Sequence, residues 1–325
     1  MIIDMFLKLN NIASQLKSHY DAFIVSASYE KRCFSVTESV IDKIEFDYKF
    51  VGIVSLDKEI IGDKYKVFPE IYGFEPIEVN SINQISTAAN IISAINKVCK
   101  ANPNASFLID ISTFRRQTLL ILLRLIRNIL TKKNYIQFVY TPAEEYSVGL
   151  PENEKWLTKG ITDVNSVFGY SGIIRPSRPY HLILLMGYEV ERASTLISVY
   201  EPSRITIGYA KKIDSIDDKH YELNKSRFNE LLDEFPRAES FEFSCINLQD
   251  CKADIALRVN KYRNHNIIIS PMHNKISTVA SAISAFENEE IQLAIAMPAI
   301  YNTENYSSPS DNCYLLDIPE LIKLK

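Results

Sequence analysis

Two stretches decide the fold: "AFIVSASYEKR" at 22–32 and "HLILLMGYEVER" at 181–192. Each is an apolar run that ends in Tyr-Glu and then a basic residue. Tyr29-Glu30 thereby falls on Tyr188-Glu189, an offset of 159 (29 to 188). A second pair, "FLIDISTFRRQTLLILLRL" (107–125) and "NIIISPMHNKISTVASAISAF" (266–286), aligns Asp110 with Ser270 and Arg115 with Lys275, offset by 160 (110 to 270). A third, "IQFVYTPAEEY" (136–146) and "IQLAIAMPAIY" (291–301), places Pro142 on Pro298, offset by 156. Three anchors in one order at nearly one offset indicate an internal duplication of two units.

Within each half the same parts recur. An apolar strand leads to the Tyr-Glu knot and a helix, then to "FVGIVSL" (50–56) or "RITIGYA" (204–210). A further helix comes next, of which "HYELNKSRFNELLDEF" (220–235) is the clearer, then an alternating strand at 76–79 or 240–244. Short apolar runs alternating with helices specify parallel βαβ units with helices on both faces. The predicted class is α/β: two fused, pseudo-symmetric Rossmann-like domains. The expected boundaries are an N-terminal helix over 1–19, a first unit over 20–157, a connector over 158–179 and a second unit over 180–325. Beyond the fifth strands, "EEYSVGLPENEKWL" (144–157) parallels "ENYSSPSDNCYLL" (304–316), so each unit is expected to close with a loop and an edge strand.

At 325 residues, 46% apolar and 23% charged, the chain suits two domains. A net charge of −4 gives no global field for nucleic acid or an anionic membrane, so direct nucleic-acid binding is not expected. Five scattered cysteines without metal-ligand spacing read as a reduced, cytoplasmic chain. "LLILLRLI" is interrupted by Arg124 and far short of a membrane span. No Walker A loop, no GxGxxG after a strand, no HExxH and no GxSxG occurs, so no metal and no cofactor is expected.

Ligands of open parallel sheets bind beyond the carboxyl ends of the strands, where both sets of knots fall. Ser112 or Thr113 can cap the helix after them, whose N-terminus favours an anion, and Arg115 and Lys275 add positive charge. The candidate ligand-binding residues are Tyr29, Glu30, Arg32, Ser112, Thr113 and Arg115 in the first half. In the second they are Tyr188, Glu189, Arg192, Ser270, His273 and Lys275. Asp110 is the candidate general base, with Glu30 as its alternative. A plainer reading competes: caps on ordinary helices, and a buried network behind the repeated Tyr-Glu.

A strand, a Ser/Thr turn with a basic residue and a helix, as in "DISTFRR" (110–116) and "SPMHNKIS" (270–277), resembles the ligand loops of CARF domains. Two such units in tandem resemble the SAVED arrangement. The resemblance implies a sensor or adaptor of a nucleotide-like messenger in prokaryotic antiphage defence. No effector domain is left over after two units, so it also implies a separate effector protein. The alternatives are an enzyme on a nucleotide or phosphoribosyl substrate, and a structural partner protein without ligand.

Overall fold

The computed structural model describes residues 5–55, 64–151 and 154–322. Their contacts divide the chain into two compact units, one from Met1–Gly149 with Thr303–Lys325, the other from Leu150–Asn302.

In unit 1 the strands are β1 (Met5–Lys8), β2 (His19–Ser26), β3 (Glu45–Val54), β4 (Glu75–Val79), β5 (Ser106–Asp110) and β6 (Tyr135–Tyr140). They alternate with α1 (Ser35–Val40), α2 (Lys64–Glu70), α3 (Gln84–Ala101) and α4 (Arg116–Ile129), and β7 (Ala143–Tyr146) comes after β6. Unit 2 contains β8 (Thr158–Ser166), β9 (Tyr180–Leu185), α5 (Val190–Tyr200), β10 (Arg204–Ala210), α6 (Asp218–Glu234) and β11 (Glu239–Phe243). It continues through α7 (Leu248–Lys261), β12 (Asn266–Pro271), α8 (Lys275–Glu287) and β13 (Gln292–Tyr301). The chain then returns to unit 1 as β14 (Ser307–Pro309) and β15 (Asn312–Leu316).

The first sheet runs β1-β15-β6-β5-β2-β3-β4 and the second β11-β10-β9-β12-β13-β8. Both place their five parallel strands in the order third, second, first, fourth, fifth, with an antiparallel sixth strand beside the fifth. The fold is α/β, as the alternation of apolar runs and helices requires. β2 and β5 are buried along almost their whole length because helices cover both faces. Phe23 and Val25 point to a core shared with Val36 and Val40 of α1 and Phe68 of α2. Ile24 faces the opposite layer, with Ile91 and Ile95 of α3 and Leu122 of α4. In unit 2, Leu182, Leu184 and Met186 pack with Leu196 of α5 and Phe228 of α6. Among the described residues no helix is long and apolar enough to cross a membrane.

Three expectations about boundaries are corrected. Residues 5–15 form β1 and a 3-10 turn rather than a helix (residues 1–4 lie outside the described ones). The alternating burial of Met5–Lys8 is a strand's, and β15 supplies the pairing partner. The connector's first nine residues are β8, ordered by β13. The closing strand at 312–316 joins the first sheet instead of the second.

Candidate functional site

At the carboxyl ends of β2, β5 and β6 in unit 1, one chain of buried polar groups takes up most of the candidate residues. Asp110 is 2% exposed, and its Oδ1 accepts the Ser112 N–H (2.9 Å) and the Ser112 hydroxyl (2.5 Å). Ser112 Oγ in turn accepts the Thr141 N–H (2.8 Å), which ties β5 to the end of β6. The Thr141 carbonyl accepts Nη1 of Arg32 (3.0 Å), and Nε of Arg32 donates to Oε2 of Glu30 (2.7 Å). Ser307 on β14 donates to the same oxygen (2.5 Å).

Both members of this ion pair are buried, Glu30 at 7% and Arg32 at 3% exposure. A buried charge is tolerated only when paired and hydrogen-bonded, which this chain achieves. Burial works against the guanidinium's charge, but Glu30, with Tyr146 and Tyr140, outweighs it and holds the proton more firmly than in an ordinary arginine. Nearby, burial and the charge of Asp110 push the Cys313 thiol up to about 12.

Thr113 and Ser112 do not cap α4. Thr113 Oγ1 donates to the Ser26 carbonyl (2.7 Å), bridging β2 and β5 at the point where strand order reverses. Arg115 occupies the cap position of α4, and its own side chain makes no cap hydrogen bond. The Arg115 side chain, half-buried, reaches the loop after β4 and donates to Ser81 Oγ (3.1 Å). Tyr29, half-buried, lies edge-on to Tyr306 with ring centres 5.4 Å apart.

Unit 2 repeats the ion pair, the arginine's bond to a carbonyl of the fifth strand and the hydroxyl donated to the glutamate, but has Ser270 where unit 1 has Asp110. Arg192 Nη1 donates to Glu189 Oε2 (2.6 Å), and its Nε donates to the Ala296 carbonyl on β13 (3.0 Å). The Thr158 hydroxyl, at the start of β8, donates to Glu189. Ser270 is buried at the end of β12, while Tyr188 beside Glu189 is half-buried. Where the first and fourth strands separate, Gly187 passes so close to Met272 that a Cβ there would stand 2.6 Å from the Met272 carbonyl oxygen. His273 meets Phe243 edge-on at 5.5 Å, and Lys275 is the first residue of α8. Asn274 caps that helix, accepting the Ser277 N–H (3.1 Å) and donating to the Cys245 carbonyl (2.6 Å).

Sequence reading thus finds Glu30 with Arg32 and Glu189 with Arg192, and singles out Asp110 and Ser112 without pairing them. It misses Thr141, Ser307 and Thr158, which complete them from distant segments. It also misses the Asn caps: Asn83, Asn247 and Asn274 each accept an N–H from three residues on, a spacing visible in the sequence.

A second cluster lies at the amino ends of the unit 2 strands. His181 is fully buried, its Nε2 is 2.7 Å from Thr206 Oγ1, and its ring meets Tyr262 at 4.6 Å and His265 at 6.2 Å. Burial, then the neighbouring His265, lowers its pKa to about 4. Among the described residues no group of three His, Cys, Asp or Glu side chains is placed to hold a metal ion.

No protein-family model matches the sequence, and no curated protein matches it. Among solved structures, the chain is similar to the cytoplasmic domain of a prokaryotic cation chloride cotransporter. The identity is 7%, over 88% of this chain and 98% of that one, with a TM-score of 0.27, too low to carry an argument.

Proposed function

We propose that this protein is a cytoplasmic sensor or adaptor subunit that takes a nucleotide-like ligand and acts with a separate effector polypeptide in prokaryotic antiphage defence. The observation that carries the ligand half of this reading is the start of α4. Ser112 and Thr113 are turned away into the fold, Arg115 at the cap position makes no side-chain cap hydrogen bond, and Arg115 and Arg116 stand half-buried at the helix start. A helix N-terminus, its dipole and two guanidinium groups favour a phosphate. In unit 2 Asn274 already serves α8, so this reading gives the phosphate to unit 1 and leaves Lys275 and His273 a lesser part. The defence role and the effector come from the CARF and SAVED resemblance. The same reading takes the units as one duplicated ancestor, which their common strand order supports.

Catalysis by Asp110 or Glu30 is the weaker reading. Both carboxylates are buried and held by partners within the fold, whereas a general base must reach its substrate's proton directly or through one water. The test is a thermal-shift screen of nucleoside phosphates and short cyclic oligonucleotides, repeated with Arg115→Ala/Arg116→Ala and Asp110→Asn. A ligand at 100 times its Kd should add about 2.7 kcal/mol. Stabilisation lost in the double arginine variant and kept in Asp110→Asn is expected. If no nucleotide stabilises the protein, or if Asp110→Asn keeps binding while abolishing ligand turnover, the sensor reading fails.

A further inference from the structure

The sixth strand of each sheet has an unexpected origin. After the fifth strand of unit 1 the chain forms β7 and then β8, and β8 pairs with β13 in unit 2. After the fifth strand of unit 2 it forms β14 and then β15, and β15 pairs with β6 in unit 1. Each incoming strand is antiparallel to the fifth strand it covers. The polar knots obey the same plan. In unit 1 Arg32 grips the Thr141 carbonyl at the end of the fifth strand, while Glu30 accepts the hydroxyl of Ser307 on the incoming segment. In unit 2 Arg192 grips Ala296 on the fifth strand, while Glu189 accepts the hydroxyl of Thr158 on the incoming segment.

We propose that the two Tyr-Glu knots are clasps for an exchanged strand. Glu30 and Glu189, each set by its arginine, fasten the segment that closes their sheet, and that segment comes in both cases from beyond the other unit's fifth strand. The glutamates are positioning residues. This accounts for why the polar pair is kept in both halves, since a duplicated core needs its apolar pattern twice but not a loop carboxylate. It also makes each sheet depend on residues remote in the chain. With a clasp open, β6 or β13 becomes a bare edge, for which the same strand from a second copy is the fitting occupant.

Hydrogen exchange of the full chain, read peptide by peptide, tests this. Ser307→Ala removes only the clasp hydroxyl and leaves the ion pair, as does Thr158→Ala in unit 2. Ser307→Ala should raise exchange across 307–316 about tenfold, the scale of one hydrogen bond to a charged group, with 158–166 unchanged. Thr158→Ala should do the converse. Glu30→Ala and Glu189→Ala should reproduce the two patterns more strongly, and Glu30→Ala should add a dimer at high concentration. Unchanged exchange at 307–316 in both Ser307→Ala and Glu30→Ala would overturn the proposal, as would a rise at 158–166 in their place.

Discussion

Acid should weaken unit 2 through His181. In the fold its imidazole is fully buried, bonded to Thr206 and held neutral with a pKa of about 4 against an ordinary 6.5. His265, Glu239, Lys261 and Arg204 face it, but burial is the leading cause. In the unfolded chain the ring takes a proton as pH falls through 6.5, while in the fold it does so only near 4. The stabilisation is therefore complete above 6.5 and lost on descent. At about 1.4 kcal/mol per pH unit, the gap corresponds to about 3 kcal/mol. Trp156, the sole tryptophan, belongs to unit 2, so its fluorescence in urea titrations from about pH 7.5 to about pH 4.5 reads the right unit. His181→Phe keeps a ring against Tyr262 and cannot titrate, so most of the slope should vanish. His265, lowered by burial and Arg204, leaves a remainder of the same sign. An unchanged slope in His181→Phe, or wild-type stability that rises on acidification, would refute the reasoning.

Packing and charge give two further outcomes. Gly187→Ala places a Cβ 2.6 Å from the Met272 carbonyl oxygen and should cost about 1–3 kcal/mol, seen as a lower urea midpoint by Trp156 fluorescence. Arg32→Met alone should cost about 3–5 kcal/mol because Glu30 is left charged and buried, whereas Arg32→Met with Glu30→Leu should cost less. A double-mutant cycle by urea unfolding decides this, and additive losses would count against a coupled pair.

The parallel order was legible because it rests on local facts. Apolar runs such as 22–25 and 182–186 can only be strands buried on both faces, and helices between them leave parallel pairing as the outcome. The exchange was not legible. "TKGITDVNS" is a polar stretch with no apolar run, and it becomes β8 only because β13 offers an open edge. Met5–Lys8 is likewise too short to declare itself, and its partner, β15, is more than 300 residues away.

The polar site divides along the same line. Repetition singled out Glu30 and Glu189, yet a glutamate two or three residues from an arginine reads equally as an exposed pair worth little. What fixes the difference is burial, and burial is conferred from afar. Thr141 lies 109 residues from Arg32, and Ser307 lies 277 from Glu30. Asp110 shows the converse. Its partner Ser112 is two residues away and visible in the sequence, but a nearby hydroxyl is compatible with an active carboxylate or a locked one. The lock is closed by the Thr141 N–H, which occupies the lone pair that would leave Ser112 free to turn. Thr141 thus serves Ser112 with its N–H and Arg32 with its carbonyl, so one residue after β6 joins the Asp110 knot to the clasp. Unit 2 keeps the clasp but has Ser270 in place of Asp110. The clasp is therefore the part both sheets require, and the carboxylate at 110 is an additional fastening that unit 1 alone carries.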